Sequence, residues 1–169
     1  MIKSDLEDIM TTVINIINQA PCMPSDIKSK GGVDINISEP RARSLSIAGI
    51  NSVRKTQEYV NGCYTGAWQF RLSYTSMCQS NEEKIKSQSL LEYFTDWFQG
   101  IPAHDEFGNP IDDYLERYPE MSDDRELIYI RDLRSPYVQE ITKSGLTVIS
   151  TEYMATFLAK NHYLWRQNA

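Results

Sequence analysis

The chain has 169 residues, of which 41% are apolar and 24% are charged, and its formal net charge is −6 at pH 7. This composition is ordinary for a globular protein, and the length suits one hydrophobic core rather than two. An acidic chain without a basic patch is not typical of a sequence-specific nucleic-acid binder, although it does not exclude a protein that surrounds DNA without gripping it. Three widely spaced cysteines predict reduced thiols, with neither a disulfide framework nor a zinc site.

The N-terminal residues 1–10 mix charged and apolar side chains and do not resemble a signal peptide. No apolar run approaches the roughly 20 residues that a membrane-spanning helix needs. We therefore expect a protein that is made in the cytoplasm and works there or in a particle assembled there.

Two helices are predicted, each from a capping box followed by apolar residues at helical spacing. Ser4 and Glu7 have the spacing of a capping box before the first helix, and Ser80 and Glu83 have it before the second. Gly100 and Pro102 end the second helix. The apolar residues expected to face a sheet are Leu6, Ile9, Met10, Val13, Ile16 and Ile17 in the first helix, and Ile85, Leu90, Leu91, Phe94, Trp97 and Phe98 in the second.

Alternating apolar and polar residues predict four strands before the second helix, at 33–37, 45–47, 52–60 and 67–74. Because residues 61–66 contain two glycines, we expect them to form the turn of a β-hairpin between the last two strands. The side chains expected to face the core from these strands are Val33, Ile35, Ile37, Leu45, Ile47, Trp68, Phe70, Leu72 and Tyr74.

The C-terminal third predicts three further strands, at 127–131, 137–142 and from about 147 to 163, with a turn at 143–145. The last strand would reach on the order of 50 Å, which exceeds the width of a small domain. It therefore bends, breaks, or projects towards a neighbour. The element order predicts an α+β fold, a single domain over 1–169 with a mostly antiparallel sheet and two main helices packed on one face.

Residues 103–126 differ in character from the rest of the chain. They contain nine acidic and two basic residues, so nine minus two leaves seven negative charges, more than the net charge of the whole chain. Two prolines and a glycine break any long helix, although 111–118 are predicted to form a short helical turn. We interpret this stretch as an acidic surface insertion.

Residue patterns for catalysis and metal binding are not found. His104 and His162 lie far apart and lack ligand partners at metal-binding spacing, and the acidic insertion lacks the alternation of a calcium loop. Neither a phosphate-binding glycine loop nor a nucleophile elbow occurs. The sequence therefore predicts no catalytic, cofactor or metal site, and no enzymatic activity.

Three stretches carry a resemblance to a known family. They are the hairpin residues 58–62 leading into 69–72, the helical residues 91–98 with a late aromatic pair, and the ending, in which a turn at 143–145 precedes a long strand to Tyr163. Over about residues 50–165 the chain resembles the tail-terminator (tail-completion, or minor capsid) proteins of long-tailed phages of Gram-positive bacteria.

The resemblance implies a structural virion protein without a cofactor. Such proteins form a ring, typically of six subunits, on the last ring of the tail tube, where they stop tube polymerisation and present a surface to the head connector. DNA would pass through the lumen without specific binding. The resemblance leaves open whether the acidic insertion lines the lumen or faces the next ring.

A ring needs two different patches that meet between neighbouring copies. Opposite charge suggests that acids of the insertion meet bases that follow it in the chain. The candidate subunit interface consists of Asp112, Asp113, Glu116, Arg131, Arg134 and Lys143. Two other hypotheses remain. The first is another neck or head–tail joining protein, or the equivalent part of a phage-tail-like bacteriocin. The second is a stand-alone binding module or small enzyme.

Overall fold

The computed structural model describes residues 3–35, 40–122 and 124–160. In chain order the elements are α1 (Asp5–Asn18), α2 (Ser25–Ser29), β1 (Asp34–Ile35), β2 (Ser44–Gly49), β3 (Arg54–Glu58), β4 (Tyr64–Met77), α3 (Asn81–Phe98), β5 (Arg125–Ile141) and β6 (Leu146–Ala159). The strands form one sheet in the order β1-β2-β4-β6-β5, and β3 pairs with the N-terminal part of β4. Every pairing is antiparallel except that of β1 with β2. The predicted α+β fold is confirmed.

One face of the sheet carries the core, and α1 and α3 cover it. The ring of Phe98 in α3 lies edge-on to Phe70 of β4 and to Tyr153 of β6, with centroid distances of 6.3 and 4.9 Å. The two helices are joined where Nε1 of Trp97 donates to the carbonyl of Ile16 at 3.0 Å. The prediction that both main helices pack on one face is therefore correct. None of the described helices has the length and apolar character needed to cross a membrane.

Both predicted helix starts are confirmed by their hydrogen bonds. Oγ of Ser4 accepts from the backbone N–H of Glu7 at 3.1 Å, and Oγ of Ser80 accepts from that of Glu83 at 3.2 Å. Gly100 ends α3 with a φ of +71°, a conformation in which glycine lacks the steric penalty of other residues. The capping boxes therefore locate these helices correctly from sequence.

The predicted strands 127–131 and 137–142 are wrong as separate elements, because the chain runs continuously through β5. Pro136 does not interrupt this strand, since β5 lies at the edge of the sheet and proline is tolerated there. Four shifts of register against β6 interrupt the regular pairing of β5 without ending the strand.

The turn predicted at 61–66 is too long. The N–H of Tyr59 bonds to the carbonyl of Cys63 at 2.8 Å, and the next residue, Tyr64, already pairs with Ala159. The strand predicted at 52–60 is also too long, because β3 ends at Glu58 and Tyr59 already belongs to the turn. The return strand β4 is correspondingly longer than predicted, and it pairs with β6 over its full length.

Two predictions at the ends of the sheet have mixed outcomes. Ile35 was expected in the core but is 53% exposed, because β1 is a two-residue strand at the sheet edge. Val33 is buried as predicted. The remainder of that strand prediction, including Ile37, lies outside the described residues, and so does the continuation of the last strand to Tyr163.

The acidic insertion is anchored to the core by a few apolar and hydrogen-bonded side chains. Ala103 and Met121 are buried, and the hydroxyl of Tyr118 donates to the carbonyl of Phe98 at 2.7 Å. The predicted helical turn at 111–118 is absent. The backbone of this stretch instead bonds to Ala103, whose N–H donates to the carbonyl of Asp113 at 2.8 Å.

We expect one of the three thiols to be far less reactive than the others. Cys22 is 1% exposed, and burial raises the pKa of its thiol to about 12. Because the thiolate is the reactive form, iodoacetamide at pH 8 should alkylate the partly exposed Cys63 and Cys78 and leave Cys22 intact until the protein unfolds. Mass spectrometry of tryptic peptides from native and urea-treated protein measures this. Equal alkylation of all three thiols in native protein would contradict the burial of Cys22.

Candidate subunit interface

Among the described residues, β5 is the last strand of the sheet and no strand pairs with the outer edge of its C-terminal part. Near its start the N–H of Ile130 is capped by the hydroxyl of Tyr118 at 3.2 Å, so the acidic insertion covers that end of the strand. Residues 132–141 are exposed or half-buried throughout. Leu133 and Val138 are 42% and 41% exposed, which is unusual for large apolar side chains of a strand.

The backbone of this edge is poorly suited to pairing with another strand. Three of the four register shifts fall between Asp132 and Glu140, and Pro136 has no N–H to donate. Bulges, proline and charged residues are devices that prevent strand addition at a sheet edge. A partner at this edge would therefore contact side chains rather than extend the sheet.

Three predicted interface bases lie along this edge and its following turn, and with Leu133 they form what we call the basic strip. Arg131 and Arg134 pair in register with Met154 and Glu152, so they lie on the face opposite the helices. Lys143 lies in the turn after β5 and is exposed. The basic strip consists of Arg131, Leu133, Arg134 and Lys143, and the exposed acids Asp132 and Glu140 lie in the same stretch. Val138 pairs in register with the core residue Ile149 and so lies on the helix side of the sheet.

Arg134 is the one base of the basic strip with an ion-pair partner among the described residues. Its Nη1 lies 3.6 Å from Oε2 of Glu152, and its guanidinium stacks over the ring of Tyr137 at 3.6 Å from the centroid. The side chain is still 59% exposed. Tyr137 in turn donates to Glu152 at 2.7 Å, and these contacts hold Arg134 in a fixed position with one side open to solvent.

The three predicted interface acids, Asp112, Asp113 and Glu116, are exposed on the insertion. Two aromatic side chains of the same segment, Phe107 and Tyr114, are 79% and 50% exposed. We call these five residues the acidic surface. Within the described ranges 3–35, 40–122 and 124–160, no ion pair involves any of its three acids.

Other acids of the insertion serve the fold. The carboxylate of Asp105 accepts from the N–H groups of Asn109 and Phe107, each at 2.9 Å, and the bond from Asn109 contributes most to lowering the pKa of Asp105. Glu106 accepts from the backbone N–H of Ser25 at 3.1 Å and so tethers the insertion to α2. The insertion therefore presents some of its acids and uses others to hold its own shape.

Arg125 has a role that sequence reasoning missed. It was counted with the solvated charges of the insertion, but its side chain is 8% exposed and its Nε lies 2.7 Å from Oδ1 of Asp5. Its Nη1 lies 3.1 Å from Oδ2 of Asp8, which is 4% exposed. The available signal was that Asp5, Asp8 and Thr12 fall at helical spacing beside the apolar stripe of α1.

The phenol of Tyr64 extends this buried ion cluster. It donates to both carboxylate oxygens of Asp5, at 2.7 and 2.9 Å. Burial, followed by this hydrogen bond, raises the pKa of Tyr64 to about 12. The cluster ties α1 to β4 and to the start of β5, and it is structural.

A wide groove bordered by residues 115–121 and 124–127 has a volume of about 970 Å³. Its most buried charged group is Arg125, which Asp5 and Asp8 already neutralise. In the part of the chain that the structure describes, no His, Cys, Asp and Glu side chains are grouped so that they could hold a metal ion.

No protein-family description matches the sequence, and no curated protein matches it. One solved structure that shares the fold is a chain from the virion of a native gene transfer agent particle. The TM-score is 0.61 at 10% sequence identity, and the match covers 93% of this chain and 100% of that chain. At this identity the similarity shows a common fold and carries no information on individual residues.

Proposed function

We propose that this chain is a structural component of a phage-like particle, and that it forms the ring that ends the tail tube. The observation that carries the proposal is a fold shared over 93% of the chain with a component of a virion particle. The sequence resemblance of residues 50–165 to tail terminators supports the finer assignment. In this role the protein stops tube polymerisation, provides the attachment surface for the head connector, and lets DNA pass through its lumen without specific binding.

The surface of the domain is consistent with an assembly role. The basic strip and the acidic surface are two different exposed patches, and head-to-tail contact between different patches produces closed rings when the rotation closes. Among the described residues, the large aromatic side chains of Trp68, Phe70, Phe98, Tyr153 and Phe157 are buried in the core between the sheet and the helices.

Deleting the gene from the phage or prophage that carries it tests the proposal. We expect heads without attached tails and tubes that exceed the normal length distribution, because nothing ends polymerisation. Negative-stain microscopy measures both, and supplying the intact gene from a plasmid should restore normal particles. Immunogold labelling of an epitope-tagged copy should place label at the head-proximal end of the tail.

The same experiment separates the alternatives. Tubes of normal length that fail to join heads would favour a neck or head–tail joining protein instead of a terminator. Headless tail-like particles from the wild-type locus would favour the equivalent part of a bacteriocin. Normal infectious particles after deletion, with no tagged protein in the purified particle, would contradict a virion role altogether.

A further inference from the structure

We propose that the C-terminal residues 161–169 dock, within the same chain, on an apolar patch at the tip of the hairpin between β3 and β4. We call this surface the hairpin patch, and it is lined by Tyr59, Val60, Asn61, Cys63 and Leu158. The proposal concerns how a single subunit covers its own apolar surface, and it does not depend on the proposed function.

The hairpin patch exposes apolar side chains at a turn. Val60 is fully exposed and Tyr59 is 44% exposed. Cys63 and Leu158 are half-buried beside them. The polar side chain of Asn61 is engaged within the turn, because its Oδ1 accepts from the N–H of Cys63 at 3.1 Å. Removing apolar surface from water is favourable, so this patch favours an apolar occupant.

Strand β6 ends beside the hairpin patch. Its last residue, Ala159, pairs with Tyr64, which directly follows Cys63 in the chain. The residue before it, Leu158, is itself part of the patch. Because paired Cα atoms in an antiparallel ladder are about 4.5–5.5 Å apart, the chain leaves β6 within roughly one strand spacing of the patch.

The described strands offer no further pairing to a chain that continues past this point. On one side β4 begins at Tyr64, on the other β5 begins at Arg125, and both of these residues pair with Ala159. The N–H of Lys160 then bonds to the carbonyl of Asp124 at 2.8 Å. Contacts for the residues that follow must therefore come from surfaces other than the ladder of β4 and β5.

The composition of residues 161–169 suits the hairpin patch. Tyr163, Leu164 and Trp165 are three consecutive large apolar or aromatic residues in a segment that is otherwise mostly polar. Because an extended chain spans at most about 3.6 Å per residue, Tyr163 can lie no farther than roughly 11 Å from Lys160. The three side chains are therefore within reach of the patch and match its apolar character.

The wide groove described above also borders Lys160, but it is a poorer match for this segment. Its apolar members Met121 and Leu127 are already buried in the core. The exposed residues that line it are mainly charged, and they include Glu116, Arg117, Glu120 and Glu126. Burying apolar side chains against these charged groups would remove the groups from water without giving them partners.

The rate of alkylation of Cys63 tests the proposal in the full chain. We expect Leu164→Ser with Trp165→Ser to raise the rate of modification by iodoacetamide at least about threefold, because a thiol reacts according to its exposure. Cys78 is the reference in the same molecule, and its rate should not change. Phe107→Ser with Tyr114→Ser, which replaces two exposed aromatic side chains of the insertion, should change neither rate. Mass spectrometry of timed samples measures both rates.

The fluorescence of Trp165 gives the reciprocal measurement. Trp68 and Trp97 are 1% and 5% exposed, so quenching by acrylamide in native protein should report mainly on Trp165. Val60→Asp places a charge in the hairpin patch and should at least about double the quenching constant. Val60→Leu keeps the patch apolar and should be quenched as wild type is. Because Val60 is fully exposed, both variants should fold, which circular dichroism verifies.

A cross-link distinguishes docking within one chain from docking on a second copy. In a Cys78→Ser background, the single substitutions Tyr163→Cys, Leu164→Cys and Trp165→Cys each place a thiol in the segment. A disulfide requires Cα atoms about 4.4–6.8 Å apart, so at least one of the three should bond to Cys63 within the same chain during air oxidation. Phe107→Cys in the same background is the control and should not form this bond.

Each measurement can overturn the proposal. An unchanged Cys63 rate after Leu164→Ser with Trp165→Ser would do so, and so would unchanged quenching after Val60→Asp. Disulfides that join only separate chains, or the absence of any disulfide to Cys63, would show that residues 161–169 do not dock on their own hairpin patch. None of these readouts involves a particle, so their outcome is independent of the deletion experiment.

Discussion

Replacing Arg125 by methionine is expected to lower the free energy of unfolding by about 3–5 kcal/mol, because the substitution leaves carboxylates at a buried site without their cation. Asp8 is 4% exposed and accepts from Arg125 at 3.1 Å, so water cannot take the place of the guanidinium without opening the contact between α1 and β5. The same guanidinium donates to the carbonyl of Lys3 at 3.0 Å, and that bond is lost as well. Urea denaturation followed by circular dichroism measures the change.

A second substitution separates the missing charge from the missing packing. Asp8→Asn keeps an oxygen to accept the N–H of Ser122, which bonds to Oδ1 at 3.1 Å, but removes the negative charge. Combined with Arg125→Met it should recover part of the lost stability, since one fewer unpaired charge remains buried. Arg41→Ala is the control, because its ion pair with Asp34 is exposed and should contribute less than about 1 kcal/mol. An equal effect of the two arginine substitutions would contradict the buried cluster.

Replacing Gly66 by alanine is expected to lower the free energy of unfolding by about 1–3 kcal/mol. The loss does not come from the backbone, because the extended conformation at this position is open to glycine and to alanine. A Cβ at this position would lie 2.4 Å from Cζ and 2.7 Å from Cε1 of Phe157, its cross-strand partner. Phe157 has no exposed surface, so its ring cannot move aside without disturbing the core. The absence of a side chain at Gly66 is therefore what makes room for this ring.

The partner substitution gives this prediction its control. In a Phe157→Leu background the clash is relieved, and Gly66→Ala should then be neutral or slightly stabilising because alanine restricts the unfolded chain more than glycine. The double-mutant cycle should show a coupling energy of about 1 kcal/mol or more, measured from the urea midpoints. Additive effects of the two substitutions would show that the ring and the glycine do not meet as described.

Local signals in the sequence predicted much of the fold. The capping boxes at Ser4 and Ser80 located α1 and α3, because a hydroxyl three residues before an acidic side chain satisfies backbone N–H groups that only a helix end leaves free. Alternation from Trp68 to Tyr74 identified the buried face of β4, since adjacent strand residues point to opposite sides of a sheet.

The sequence did not reveal what depends on position within the sheet. Residues 127–131 and 137–142 were predicted as separate strands, whereas β5 runs through both, and its place at the edge of the sheet is what lets it include Pro136. Arg125 was grouped with exposed charges because its partners, Asp5 and Asp8, lie about 120 residues earlier in the chain. Contacts at such separation leave no local pattern.

The candidate interface stays a prediction. Charge alone selected its acids and bases, and the structure places all six in exposed positions on two surfaces. The exposure of nearby apolar side chains was not predicted, because Leu133 lay between two predicted strands and Phe107 lay in a stretch described only by its acidic charge. Whether a large apolar residue is a core residue or an interface residue depends on which elements cover it, and composition does not contain that information.

The irregular backbone of β5 also bears on aggregation. At high protein concentration, a smooth edge strand ten residues long would let copies of the chain stack into open-ended fibres. Pro136 and three register shifts in that stretch remove the regular row of hydrogen-bonding groups that a fibre requires. This edge of the sheet therefore resists fibre formation through backbone pairing, and a contact made here depends on side chains.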